Sequence, residues 1–245
     1  MDSSFYTAAR AAISQQQKMN VVSNNIANVN TNGYKTKNAV FYDLINYNMR
    51  DPAEKQTHLQ AGSGVAVGRT DTSFDQGILK NTGMPTQYAI SGRGFFMLMD
   101  PLTQEISYTR DGTFSWSLNE DGQFYLITDD RKQVLDDQQN PITVSPQALQ
   151  GLDEEDAQWN APGIFEFPIE RGLQSAGHNT FTASDANGNP QPSRNAELMR
   201  GYVELSNVDL AEELAKTVEA SRIYSLALNM VRAADEVEQT INSLR

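Results

Sequence analysis

The sequence predicts an α+β fold: helices at the two ends of the chain pair in coiled-coil fashion into one α domain, and an antiparallel β domain is inserted between them. Three observations carry this. A narrow apolar stripe begins at Phe5, a similar stripe closes the chain, and the residues between form short aromatic and β-branched runs separated by turn-formers.

The N-terminal element, residues 1–33, is read as the first helix of the α domain. Apolar or small residues recur at Phe5, Ala8, Ala12, Met19, Val22 and Ile26 in alternating steps of three and four, broken only at Gln15. The helix is expected from Ser3 or Ser4 to about Val29, where Asn28, Asn30, Thr31, Asn32 and Gly33 form a run of turn residues. At ~1.5 Å per residue it would be roughly 40 Å long and too weakly apolar to stand alone in water. Residues 34–80 mix polar and apolar positions with Pro52 and Gly62-Ser63-Gly64, which predicts an extended connector.

Residues 81–200 read as a β-rich outer domain. Strands are expected at Gln87–Ile90, Gly94–Met99, Ile106–Thr109, Gln123–Ile127, Gly163–Ile169 and near Thr180–Thr182. Asp111-Gly112, Asp121-Gly122 and Asn187-Gly188 offer tight turns between them. The stretch 147–160, with Asp153, Glu154, Glu155 and Asp156, reads as a solvated loop. Residues 201–245 return through Tyr202–Leu205 into the second helix of the α domain, capped by Asn207 or Asp209 with Glu212 and Glu213 in its first turn. Its predicted stripe is Leu210, Leu214, Thr217, Ser221, Tyr224, Leu228, Val231, Ala234, Val237, Ile241 and Leu244.

Composition narrows the functions open to such a chain. A formal charge of −12 leaves no basic surface to displace counterions from nucleic acid or to bind an anionic membrane. The absence of cysteine excludes disulfides, thiolate metal sites and cysteine nucleophiles. No apolar run approaches the ~20 residues of a membrane span, and the N-terminus lacks the basic and apolar regions of a secretory signal.

Reactive constellations are sparse. His58 and His178 stand in different segments and are read as exposed loop residues, so no metal site is expected. Gly62–Gly68 fits neither the P-loop nor the dinucleotide fingerprint, and no serine occupies a nucleophile elbow. Asp129-Asp130, Asp136-Asp137 and Asp153–Asp156 could supply a glycosidase acid and base, but clustered acids in polar loops are usually solvated. Asp185–Asn189 offers calcium-like oxygens without the glycine and glutamate positions of a calcium loop, and reads as a turn. The expectation is a chain without catalytic residues, cofactor or metal, built to pack against copies of itself.

Three ordered blocks carry a family resemblance. Ser23–Lys35, containing Asn24, Asn25, Ala27, Asn28, Thr31, Gly33, Tyr34 and Lys35, resembles the N-terminal signature of bacterial flagellar rod and hook proteins. Phe74–Phe96, extended by Tyr108-Thr109-Arg110-Asp111-Gly112, resembles their central block. Gly201–Leu214, containing Ser206, Asn207, Val208 and Asp209, resembles the start of their C-terminal helix. The pattern is most similar to the distal-rod protein, then to the proximal-rod paralogue, then to the hook protein. It departs from the distal-rod pattern at Ala11-Ala12-Ile13 and in a shortened acidic stretch before Gly163.

The resemblance implies a non-catalytic subunit of the flagellar basal-body rod that polymerises helically into a hollow drive shaft, with both terminal helices lining the inner wall. It implies as partners other copies of the chain, other rod proteins, the hook protein and the flagellar type III export apparatus. It implies an extracytoplasmic place in the periplasm or cell-wall region, reached without a cleavable signal peptide. The asparagines of the first block are expected to satisfy backbone groups where the helix ends. The rival from another class is a secreted carbohydrate-active or wall-binding protein with its site in the β domain.

Overall fold

A computed structural model describes residues 3–44, 47–48, 60–119, 121–145 and 160–244. The chain is α+β and divides into two compact units. One comprises residues 1–27, 37–73 and 209–245; the other comprises 28–36 and 74–208. These boundaries differ from the expected ones at 33, 80 and 200. Most of the expected connector belongs with the helices, because its strands pair with each other and pack on the first helix. His58, Pro52 and the acidic residues 153–156 lie outside the described residues.

The first unit holds helix α1 (Ser3–Ala27), strands β1 (Lys37–Asp43), β2 (Tyr47–Asn48), β3 (Gln60–Ala61) and β4 (Val65–Thr72), and helix α2 (Leu210–Ser243). β1 pairs antiparallel with β4, and the short β2 with β3. The β1–β4 register slips beside Val40, leaving Gly68 as the extra residue; a Cβ there would fall 2.0 Å from the Tyr42 ring. Gly62-Ser63-Gly64, whose spacing matched no phosphate loop, runs past α1. Arg10 Nη1 donates to Ser63 O at 3.0 Å, and Ser14 Oγ donates to Val65 O at 3.1 Å.

The second unit is built from β5 (Leu79–Asn81), β6 (Tyr88–Ser91), β7 (Phe95–Met99), β8 (Ile106–Thr109), β9 (Ser115–Leu118), β10 (Phe124–Ile127), β11 (Gln133–Val134), β12 (Thr143–Val144), β13 (Ile164–Glu166), β14 (Gln174–Gly177), β15 (Thr180–Thr182), β16 (Gln191–Pro192), β17 (Glu197–Arg200) and β18 (Tyr202–Glu204). Ten of these form one antiparallel sheet; β6 pairs with β17 and β5 with β18. Strand β7 explains the core. Its alternate residues Phe96 and Leu98 enter one apolar cluster with Leu126, Val134 and Ile142. Phe95 and Met97 enter another with Tyr108, Phe165 and Phe181. A strand buried on both faces has no polar side, hence the unbroken run Phe95-Phe96-Met97-Leu98-Met99.

Asp121-Gly122 closes the β9–β10 hairpin, with Gly122 at φ +72°. Asn187-Gly188 does not close a hairpin. Asn187 ends a 3₁₀ turn, is fully buried, accepts from Ser184 N at 2.8 Å and donates to Ile169 O at 2.6 Å.

Candidate functional site

Two arrangements gather the residues singled out by sequence, one in each unit. In the first, α1 packs against α2. Asn25 Nδ2 donates to Glu213 Oε2 at 3.0 Å, and Lys18 Nζ lies 3.1 Å from Glu219 Oε2. Stepping back along α1 is thus matched by stepping forward along α2. The helices run antiparallel, and Ser3 falls opposite the Ala234 region. With 25 residues against 34, α1 ends at about 37 Å while α2 continues to about 51 Å. Residues 235–243 of α2, and Leu244 after them, therefore extend beyond α1.

The expected stripe of α1 is turned inward: Ala8, Ala12 and Val22 are buried, and Phe5, Met19 and Ile26 half-buried. On α2 the structure divides the stripe. Tyr224, Leu228, Val231 and Ala234 are half-buried, but Leu210, Leu214, Val237, Ile241 and Leu244 are exposed. The buried positions are Glu213, Ala220 and Ala227. The physical reason is rotation. The predicted path takes three successive steps of three from Leu228 to Val237, each falling about 60° short of a full turn, whereas the buried Glu213, Ala220 and Ala227 keep an even spacing of seven on the face that meets α1. The last three residues also lie past the end of α1.

A polar pin sets the register of this pair. Asn25, almost fully buried, accepts from Lys37 N at 3.0 Å and donates to Lys37 O at 2.8 Å as well as to Glu213. Glu213 is completed by Lys216 Nζ at 2.7 Å. A single buried polar side chain in a helix seam fixes alignment, because any slip leaves it unpaired. At the start of α2, Asp209 Oδ1 accepts from Ala211 N at 2.9 Å and Glu212 N at 3.2 Å, which identifies it as the cap. Asn207 serves elsewhere.

In the second unit, residues 33–36, 75–78 and 204–207 are stitched together around Glu204. Its Oε1 accepts from Lys35 Nζ at 2.6 Å and Gly77 N at 2.7 Å, and its Oε2 from Arg110 Nη1 at 3.1 Å. Lys35 Nζ also donates to Asp75 O at 2.7 Å, and Arg110 Nη2 to Gly92 O at 2.8 Å. The Arg110 guanidinium lies 5.5 Å from the centre of the Phe95 ring. The Lys35 and Glu204 side chains have no exposure. One carboxylate faces two cations, and burial pulls the Lys35 ammonium below its ordinary pKa even though Glu204 works the other way.

The backbone closes around this cluster. Gly33 N donates to Glu204 O at 2.7 Å, and Asn207 N to Tyr34 O at 3.3 Å. Asn207 Oδ1 accepts from Thr36 N at 2.8 Å and Thr36 Oγ1 at 2.7 Å, while its Nδ2 donates to Asp75 O at 2.9 Å. Gly33 sits at φ +65°, and a Cβ there would lie 2.5 Å from Asp111 N. Tyr34 is buried; Ser206 Oγ accepts from Val208 N at 3.3 Å, and Thr31 Oγ1 donates to Asn28 Oδ1 at 3.2 Å. Asn24 and Ala27 are exposed.

The three sequence blocks thus each send one charged side chain, Lys35, Arg110 and Glu204, to a single enclosed point. Sequence reasoning quoted all three without joining them; the only signal was a charged residue inside each block. An enclosed, hydrogen-bonded cluster of this kind fixes the geometry of the chain that carries it. Among the described residues the loop carboxylates form no comparable cluster: Asp136 caps its own turn by accepting from Gln138 N and Asn140 N, and His178 is exposed, 3.7 Å from Asp130. Among the described residues, no group of acids and histidines is placed to hold a metal, and no helix is long and apolar enough to cross a membrane.

Comparison with known proteins covers both ends and the middle of the chain. Residues 5–35 match the family described as flagella basal body rod protein, 89–153 the flagellar hook protein FlgE/F/G D1 domain, and 199–244 the flagellar basal body rod FlgEFG protein C-terminal. The chain is 33% identical over 255 residues to the flagellar basal-body rod protein FlgG of Buchnera aphidicola subsp. Schizaphis graminum, covering 94% of this chain and 95% of that protein. It is 32% identical to the FlgG of Caulobacter vibrioides, covering 98% of each. It is 25% identical to the flagellar hook-basal body complex protein FlhP of Bacillus subtilis, covering 99% of each.

Proposed function

The chain belongs to the flagellar basal-body rod protein family, and from that premise we propose that it is a structural subunit of the rod, the drive shaft that carries motor torque to the hook. The FlgG-named relatives match over nearly the whole length of both chains and favour the distal-rod reading over the proximal one. A structural role fits the two sites: one holds the chain's ends together as a helix pair, and the other is a sealed polar cluster.

The observation that carries the reading is the pairing of the two chain termini in one unit while an apolar face of α2 is left to solvent. A helix of this length with large apolar residues on an outer face is incomplete as a monomer. The reading is therefore that α1 and α2 form a coiled-coil-like pair, completed by neighbouring subunits of a helical, hollow polymer. Contact between unlike faces of identical subunits generates an open helix. Export through the flagellar type III apparatus and residence in the periplasm or cell wall belong to the same reading, and the lack of cysteine suits a chain that must pass a channel unfolded.

Deleting the gene tests this. Cells should lose hooks, filaments and swimming, a tagged copy should restore all three, and the tag should be found by electron microscopy in the rod of isolated basal bodies. Swimming cells with intact hooks after deletion would refute it.

A further inference from the structure

The sequence contains two Asn-Gly pairs, Asn32-Gly33 and Asn187-Gly188. Such a pair is chemically labile, because glycine has no Cβ to keep its amide nitrogen away from the asparagine side chain. The structure restrains the two pairs in different ways.

At Asn187 the side chain itself is locked. It is fully buried, its Oδ1 accepts from Ser184 N at 2.8 Å and Ser184 Oγ at 3.0 Å, and its Nδ2 donates to Ile169 O at 2.6 Å. The Asn32 side chain, by contrast, is half-buried and makes no hydrogen bond among the described residues, so its amide carbon is not held. What is held is the neighbouring nitrogen. Gly33 N donates to Glu204 O at 2.7 Å, Gly33 is fixed at φ +65° against Asp111 N, and Asn32 O accepts from Asn179 Nδ2 at 2.7 Å. A nitrogen whose proton is committed to a buried carbonyl can neither lose it nor swing toward the side chain.

We propose that Asn32 is a site of spontaneous deamidation, silent while the segment around Glu204 is docked and reactive when that segment undocks. Gly33 N forms a bond to Asn32 Cγ, the Cγ–Nδ2 bond breaks, and Nδ2 departs as ammonia with the proton from Gly33. Water then opens the succinimide ring. Opening at Cγ gives aspartate; opening at the main-chain carbonyl gives isoaspartate, whose backbone is one methylene longer. That extra carbon falls in the turn that must deliver Gly33 N to Glu204 O and Lys35 Nζ to the Glu204 carboxylate. Isoaspartate at position 32 therefore prevents redocking and irreversibly marks a chain that has stayed open. This chemistry is independent of the rod-subunit reading.

Purified wild-type chain is incubated at mildly alkaline pH across a guanidinium chloride series from none to full unfolding, digested with trypsin and sequenced by mass spectrometry. Cleavage after Lys18, Lys35, Arg171 and Arg194 puts Asn32 and Asn187 on separate peptides, and fragment ions locate each conversion. In full denaturation the two residues should convert at similar rates, and without denaturant both should be slowed about tenfold or more. Below the main unfolding transition Asn32 should accelerate first and with the shallower denaturant dependence, since undocking one segment exposes less surface than unpacking the surroundings of Asn187. Glu204→Gln should raise native-state conversion at Asn32 several-fold and leave Asn187 protected; the wild-type series stands by itself if that variant does not fold. After refolding, isoaspartate at 32 should be depleted from the folded fraction.

Conversion of Asn32 without denaturant as fast as in full denaturation would overturn the proposal. So would the same denaturant dependence at both sites, because protection would then come from global folding and not from docking at Glu204. Equal isoaspartate in the refolded and unrefolded fractions would show that the longer backbone still docks and would overturn its role as a mark.

Discussion

Replacing Glu204 by glutamine should destabilise the second unit far more than replacing Lys35 by methionine, although the two side chains are hydrogen-bonded to each other. In the Glu204→Gln variant, Lys35 and Arg110 remain charged in an enclosed site without a carboxylate. The amide must also turn an N–H toward at least one of the three donors now supplied by Lys35, Arg110 and Gly77. Breaking a buried ion pair by removing one partner costs about 3–5 kcal/mol. In the Lys35→Met variant, Glu204 keeps Arg110 and Gly77, and the one cation left matches the one carboxylate. What is lost is the hydrogen bond to Asp75 O, whose desolvation costs about 1–3 kcal/mol.

Urea denaturation followed by tryptophan fluorescence reads the difference, since Trp116 packs against the core of this unit. The pH dependence provides a second check. Burial lowers the Lys35 pKa in the folded chain below its unfolded value. Between those two values the unfolded chain binds more protons, so stability rises with pH across a window just under the ordinary lysine range. Without the opposing carboxylate the window widens, and the deficit of Glu204→Gln relative to wild type should shrink as pH rises toward about 10. Equal losses in the two variants, or a deficit that grows with pH, would refute the account of the cluster as two cations held by one carboxylate.

Gly33→Ala should cost about 2–4 kcal/mol in the same denaturation assay, combining a left-handed backbone with a Cβ driven against Asp111 N. Asp111 is pushed above the ordinary aspartate range by burial, so its contribution to stability is present at low pH and is lost as pH rises through its folded pKa. Asp111→Asn keeps the acceptor for Thr113 N and Oγ1, and should match or exceed wild-type stability at neutral pH with a flatter acid-range profile. Val231→Asp places a charge at the half-buried α1–α2 contact and should reduce both helix content, measured by circular dichroism, and incorporation into basal bodies. Val237→Asp is exposed in the monomer and should leave helix content unchanged while still blocking incorporation.

The contrast between those two valines shows where sequence reading stops. Periodicity identified α2 as apolar over its length, but the predicted path from Tyr224 through Ala234 to Val237 crosses from an inward face to an outward one. Two apolar faces on one helix produce overlapping three-and-four patterns, and only the partner's length separates them. Asn25 was legible as part of an asparagine-rich helix end, yet its bonds to Lys37 and Glu213 join residues 12 and 188 positions apart. The stretch 37–73 looked like a connector because a lone two-stranded ladder has little apolar content of its own; packing on α1 supplies what it lacks.

What the sequence determined alone are the features set by neighbours along the chain: helices at both ends, β7 as a strand, Asp121-Gly122 as a hairpin turn, and three family blocks in order. These follow from steric and hydrophobic patterns a few residues long. Tertiary structure decided which face of α2 meets α1, and it brought Lys35, Arg110 and Glu204 to one point across separations of 94 and 169 residues. No local pattern encodes such meetings, because a buried charge is stable only where the whole fold delivers its partner.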